Sequence, residues 1–160
     1  MEEIRVRDLM TTELVTAAPG DSVARVRNLM YEHWVRHVPV VDGDGRLVGL
    51  VTYRDLLRRS LIERSDLPVW VEQEELEKIA ADAVTQHVVD VVTPDTGVRT
   101  AGRLLLENKK GCLAVVEDRR LVGMLSEADF VRYLVGDAEG SERNGGRAQA
   151  ESLSGPTDST

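Results

Sequence analysis

From His37 to Leu57 the chain reads HVPVVDGDGRLVGLVTYRDLL, and from Cys112 to Val131 it reads CLAVVEDRRLVGMLSEADFV. Gly49, Thr52 and Asp55 correspond to Gly123, Ser126 and Asp129 at a constant separation of 74 positions. Upstream of the turn the separation is 75, matching Val38 with Leu113 and Val41 with Val116. One residue lost from the turn Asp42-Gly43-Asp44-Gly45 accounts for the change, and turns tolerate such losses best. At 160 residues, about one domain's length, the chain is therefore two copies of one unit.

Each copy reads as strand, helix, hairpin, helix, which gives an α/β (α+β) chain. In the first copy Leu14–Ala17 is a short strand, and Ser22 suits the N-cap of a helix with Val23, Val26, Met30 and His33 on one face. Val38–Val41 and Arg46–Thr52 form a hairpin over the Asp/Gly turn, and Tyr53–Leu61 is a helix with Leu56, Leu57 and Leu61 inward. In the second copy Val88–Val92 is the strand and Asp95 or Thr96 the cap. Its helix stripe is Val98, Ala101, Leu104 and Leu105. The hairpin is Cys112–Glu117 with Arg120–Ser126, and the last helix carries Phe130, Val131, Leu134 and Val135. Strands apolar on both faces imply small sheets covered by helices. The expected division is 1–61 for the first repeat, 62–80 for a linker region and 81–135 for the second repeat. Within the linker Pro68 is a break, and Glu72–Ala83 has helical spacing in Leu76, Ile79, Ala80 and Ala83. From 136 to 160 the Gly, Ser, Glu, Asn and Thr content predicts a disordered tail.

Aromatics make up only 4%, so Val, Leu, Ile and Ala must build the core. With 28 acidic and 20 basic side chains the net charge is −8, which argues against broad contact with nucleic acid or an anionic membrane. A local basic pocket for one small anion is compatible with it. The one cysteine, Cys112, excludes an intrachain disulfide and reads as a small buried side chain. No apolar run approaches the ~20 residues that span a bilayer, and MEEIRVRDLM lacks a signal-peptide core, so a cytoplasmic protein is expected.

The pattern Gly-apolar-apolar-Thr/Ser-x-x-Asp closes a strand and opens a helix. A hydroxyl there can cap the helix, and the exposed N–H groups attract anions. The Asp one turn on can accept two hydrogen bonds from a vicinal diol, as a ribose presents. Arg36 and His37 enter the central strand of the first copy; Lys109 and Lys110 stand near the matching point of the second. Alone, Thr52 or Ser126 would be an ordinary cap, and Asp55 or Asp129 a first-turn acid favoured by the helix dipole. The same triplet behind the same hairpin in both copies favours a ligand site. Catalysis is not expected: His33, His37 and His87 lack zinc-site spacing, and neither a phosphate-binding Gly-Lys-Ser/Thr loop nor a nucleophile elbow is present.

The first copy resembles the CBS domain family in Val6-x-Asp8-Leu9-Met10-Thr11, Val15-Thr16-x-x-Pro19-Gly20-Asp21-Ser22-Val23, His37-Val38-Pro39-Val40-Val41-Asp42 and Gly49-Leu50-Val51-Thr52-x-x-Asp55. The second is similar but drifted, with Val84-Thr85, Leu113-Ala114-Val115-Val116 and Gly123-Met124-Leu125-Ser126-x-x-Asp129. The resemblance implies a tandem CBS pair, a Bateman module: two βαββα units related by a pseudo-twofold axis, with two clefts between them. Such clefts commonly take AMP, ADP, ATP or S-adenosylmethionine. By position Thr52 with Asp55, and Ser126 with Asp129, would hold ribose; Arg36, His37 and Lys110 would face phosphate. Val38 and the repeat starts, including Thr11 and Thr16, would line the base. The drift implies unequal clefts, the Asp55 cleft being better equipped. The resemblance further implies a homodimer through helices, and an output through an unidentified effector protein. A ligand-free dimerisation or scaffold module is the alternative.

Overall fold

The computed structural model describes residues 3–63, 69–109 and 111–136. Its elements, in chain order, are α1 (Val6–Leu9), α2 (Val23–His33), β1 (His37–Val41), β2 (Leu47–Thr52), α3 (Tyr53–Glu63) and α4 (Val69–Glu77). A 3-10 turn follows at Ala81–Val84, then β3 (Val91–Val92), α5 (Val98–Asn108), β4 (Cys112–Glu117), β5 (Arg120–Ser126) and α6 (Glu127–Val135). Lys110, residues 64–68 of the expected linker and the expected tail from 137 onward lie outside the described residues.

Ser22 caps α2 as expected, its Oγ accepting from the Arg25 N–H at 3.1 Å. Val23, Ala24, Val26 and Met30 turn inward, but His33, in the last turn of α2 next to its left-handed C-cap Trp34, is exposed. The cap of α5 is neither Asp95 nor Thr96 but Gly97, which has no side chain to offer. Thr96 lies one position too early: its Oγ1 accepts from the Thr93 N–H and closes the preceding turn, as Asp21 does for Ala18 in the first repeat.

The two hairpins share a plan. β1 and β2 pair antiparallel with His37 opposite Thr52, and β4 and β5 with Cys112 opposite Ser126. A bulge falls at Val40/Val41 in one and at Val115/Val116 in the other. The missing residue shows in the turns. In the first, the Asp42 carboxylate accepts from Asp44 and Arg46 N–H, and Gly45 supplies a φ of +78°. The shorter second turn places Asp118 and Arg119 at φ +49° and +67°, the left-handed pair a two-residue hairpin needs.

What joins the repeats is an exchange of leading segments. The Val6 N–H donates to Thr96 O and that of Ala81 to Asp21 O; Val98 N–H donates to Ile4 O and Val23 N–H to Ile79 O. Each bond has its counterpart 75 residues away, so the pseudo-twofold axis is visible bond by bond. Val6 accordingly belongs to the core of the second repeat with Leu113, Val115 and Leu125. Leu76 and Ala81 belong to that of the first with Val23, Val38 and Val51.

This exchange explains why several expected elements are shorter. Leu14–Ala17 forms no strand beyond a parallel bridge from Ala17 to Val40, and only Val91–Val92 of the expected Val88–Val92 pairs with β4. The residues before them are committed to bridges with the other repeat, Thr11 with Met124 and Gln86 with Leu50. The expected helix over Glu72–Ala83 stops at Glu77, where the chain turns to dock on α2. Leu56 is buried, and Phe130 packs against the second core. Leu57, Val131, Leu134 and Val135, expected to face inward, are exposed: they sit on the outer faces of α3 and α6, away from the hairpins. Among the described residues no helix is long and apolar enough to cross a membrane.

Candidate functional site

Two corners, one per repeat, carry the residues singled out in the sequence. In the first, β2 runs straight into α3. The Asp55 Oδ2 accepts from the Thr52 N–H at 2.9 Å and from Thr52 Oγ1 at 2.6 Å, while the Asp55 N–H donates to Thr52 Oγ1 at 3.2 Å. This reciprocal box satisfies the helix start. Gln86, from the leading segment of the second repeat, donates its Nε2 to both carboxylate oxygens at 3.0 Å. His37 faces Thr52 across the hairpin, and the Arg36 carbonyl accepts from the Tyr53 N–H at 2.8 Å. Thr52, Asp55, Arg36 and His37 therefore meet at one end of one hairpin. The Arg36 side chain is exposed there.

In the second corner Ser126 and Asp129 repeat the box, with the Ser126 N–H and Oγ each 2.7 Å from Asp129 Oδ2. Thr11, from the leading segment of the first repeat, takes the place of Gln86 with a long contact of 3.4 Å from Oγ1 to Asp129 Oδ1. Arg132 donates from Nη1 to the same oxygen at 2.5 Å. Asp129 is only 5% exposed, whereas Asp55 is half-buried.

The glycines have a role the pattern alone did not reveal. A Cβ on Gly49 would stand 2.3 Å from Thr85 Cγ2 and 2.6 Å from the Gln86 carbonyl oxygen. One on Gly123 would meet Met10 Sδ at 2.6 Å and Thr11 O at 3.2 Å. Glycine here lets the leading segment of the other repeat lie against the strand, which delivers Gln86 to Asp55 and Thr11 to Asp129.

The remaining expected residues are more dispersed. Val38 is fully enclosed in the first core, so in this state its side chain faces no cleft. Thr16 is half-buried and precedes the bridge of Ala17 to Val40, away from both carboxylates. Lys110 lies outside the described residues. Gly111 packs beside His37, its Cβ position 3.7 Å from the His37 ring, so the hairpin entrances of the two repeats adjoin. An open cavity of ≈ 230 Å³ is lined by Leu47 and Val48 of the first hairpin, Val116 and Arg119 of the second, and His87, Val89 and Val91. A second, more polar cleft of ≈ 300 Å³ between α2 and α4 holds none of these site residues.

Gln86 was expected only within a repeat start lining the base, not on the carboxylate, and Arg132 was not anticipated. Gln86 stands 75 residues after Thr11 and could have been found by extending the repeat upstream. Arg132 stands three after Asp129, as Arg58 does after Asp55. Nothing in the spacing says which of the two arginines folds back. Among the described residues no cluster of His, Cys, Asp or Glu could hold a metal ion.

Two hairpin units joined by exchanged leading segments, with a hydroxyl/carboxylate box at each helix start, define a paired-repeat module. The CBS domain model matches residues 6–62 and 80–136, and the chain belongs to the CBS domain family. The chain is 33% identical over 147 residues to the chloroplastic CBS domain-containing protein CBSX2 of Arabidopsis thaliana, covering 79% of this chain and 62% of that one. The crystal structure of CBSX2 in complex with AMP superposes with a TM-score of 0.70 at 29% identity, over 83% of this chain and 97% of that one. A crystal structure from Vibrio cholerae described as a putative acetoin utilization protein gives 0.72 at 28% identity, over 86% and 95%. The CBS pair of protein MJ0100, solved with 5-methylthioadenosine and S-adenosyl-L-methionine, shares the fold with a TM-score of 0.70 at 23% identity, over 85% and 99%. The chain spans 24%, 43% and 62% of the length of three curated relatives it matches.

Proposed function

We propose that this chain is a regulatory module, and not an enzyme, that binds an adenosine-containing ligand (AMP, ADP, ATP or S-adenosylmethionine) at the Asp55 corner. The observation that carries the reading is the half-buried Asp55 carboxylate, with Thr52 behind it and Arg36 and His37 one strand across. A ribose diol would take the place of the Gln86 amide on the carboxylate oxygens, and Arg36 with His37 would meet the phosphate. The AMP complex of CBSX2 and the adenosine ligands of MJ0100 support this class of ligand.

Because Gln86 belongs to the leading segment of the other repeat, displacing it alters how the repeats hold each other. A ligand can bias that arrangement only by its differential affinity for the two states. Exposed apolar side chains recur on the outer helices at matching places, Tyr31 with Leu106 and Leu57 with Val131, beside Trp34 at 90% exposure. Such a patch suits a homodimer or an effector protein in the cytoplasm, and it also supports the second reading, a dimerisation module without ligand.

A thermal-shift titration with AMP, ADP, ATP, S-adenosylmethionine and adenosine tests the choice. Ligand at ~100 times its dissociation constant stabilises by about 2.7 kcal/mol, a rise of several degrees. No shift with any of the five would leave only the dimerisation reading.

A further inference from the structure

Both repeats carry an arginine three residues after the carboxylate, Arg58 after Asp55 and Arg132 after Asp129, on the second turns of α3 and α6. Their surroundings differ. Arg58 is exposed, and the oxygens of Asp55 are met by Thr52 and Gln86. Arg132 folds back and pairs with Asp129, whose side chain is 4% exposed. Ser126 takes Oδ2 of that carboxylate, and Arg132 with Thr11 takes Oδ1.

A diol needs acceptor capacity on the carboxylate. At Asp55 the competing donor is a neutral amide at 3.0 Å, which a hydroxyl can replace at little cost. At Asp129 the competitor is a guanidinium at 2.5 Å on a nearly dry carboxylate. There a neutral hydroxyl cannot compensate for the lost charge-assisted bond.

We infer that Arg132 is an internal occupant of the second corner: it fills the place a ribose would take, so the chain binds one nucleotide, at Asp55, and releasing Arg132 opens a second site at Asp129. This rests on the nucleotide reading above and assigns the inequality of the clefts to one side chain. Arg132 stays 44% exposed, so it has room to swing out, and the lock is a competition and not a steric wall. In Arg132→Ala affinity at the second corner should rise about tenfold to a hundredfold, the weight of one charge-assisted hydrogen bond.

The test is calorimetric titration of the full chain with AMP. Wild type should take one equivalent, with the affinity falling at least about tenfold in Asp55→Ala. Arg132→Ala and Arg132→Gln should each take two, the added one disappearing when Asp129→Ala is combined with them. Arg132→Lys, which can still pair with Asp129, should return to one. A gain of binding is not something a damaged fold produces, and Arg132→Gln guards against a poorly folded alanine variant. Two equivalents in wild type, or one in both Arg132→Ala and Arg132→Gln, would overturn the lock and leave the nucleotide reading standing. No binding to wild type or to any variant would overturn both.

Discussion

The Asp55 and Asp129 corners have the same backbone, the same capping box and the same kind of crossing segment behind a glycine, yet they differ in what faces the carboxylate. At Asp55 it is the amide of Gln86, with Arg36 and His37 alongside. At Asp129 it is Arg132, and the residues entering the strand are Gly111 and Cys112. The repeated scaffold fixes where a carboxylate stands, while its surroundings differ: Gln86 stands where the other corner has Thr11, and Arg132 turns onto its carboxylate where Arg58 is exposed. Duplication preserved the architecture, and divergence separated the chemistry.

The widest difference should appear at the glycines. Gly49→Ala drives a Cβ into the Gln86 backbone and should destabilise the chain by about 3 kcal/mol. Gly123→Ala meets mainly the flexible end of Met10 and should cost about 1–2 kcal/mol. Urea unfolding of both variants checks the order; equal losses would mean that the two crossings are equally tight.

The carboxylates should separate next. Asp129→Ala strips a buried acceptor from Ser126 and Arg132, and should lower stability by about 2 kcal/mol. Asp55→Ala removes a more exposed cap and should cost about 1 kcal/mol. In ligand binding the order reverses, with Asp55→Ala weakening the nucleotide by about 1.5–3 kcal/mol. Arg36→Ala should weaken AMP and ATP more than adenosine, as titrations of the three ligands would reveal; equal losses would remove Arg36 from the phosphate. The smallest expected effect is at the helix starts. Ser22→Ala, which removes one exposed capping bond, should cost about 0.5 kcal/mol in urea unfolding, whereas Gly97 has no side-chain cap to lose.

The hairpins and the helices beginning at Val23, Tyr53, Val98 and Glu127 were legible in the sequence, since apolar periodicity and turn residues act locally. So was the box at Thr52/Asp55 and Ser126/Asp129, because it repeats at a fixed spacing. The exchange of leading segments was not legible: whether Val6 packs on its own repeat or on the other is decided by tertiary contacts that leave no periodic trace. For the same reason the strands at Leu14–Ala17 and Val88–Val92 were drawn too long, and Val38 was expected in a cleft where the packed hairpin encloses it. Exposed Leu57 and Val131 misled in another way. Their apolar character reads as core, and only the fold shows the face they occupy.

Titration of AMP into Asp55→Ala and Asp129→Ala side by side, by calorimetry, tests most directly that one corner and not the other receives the ligand. Binding weakened at least about tenfold in Asp55→Ala and unchanged in Asp129→Ala is the result predicted. Unchanged affinity in Asp55→Ala, or a weakening only in Asp129→Ala, would contradict it.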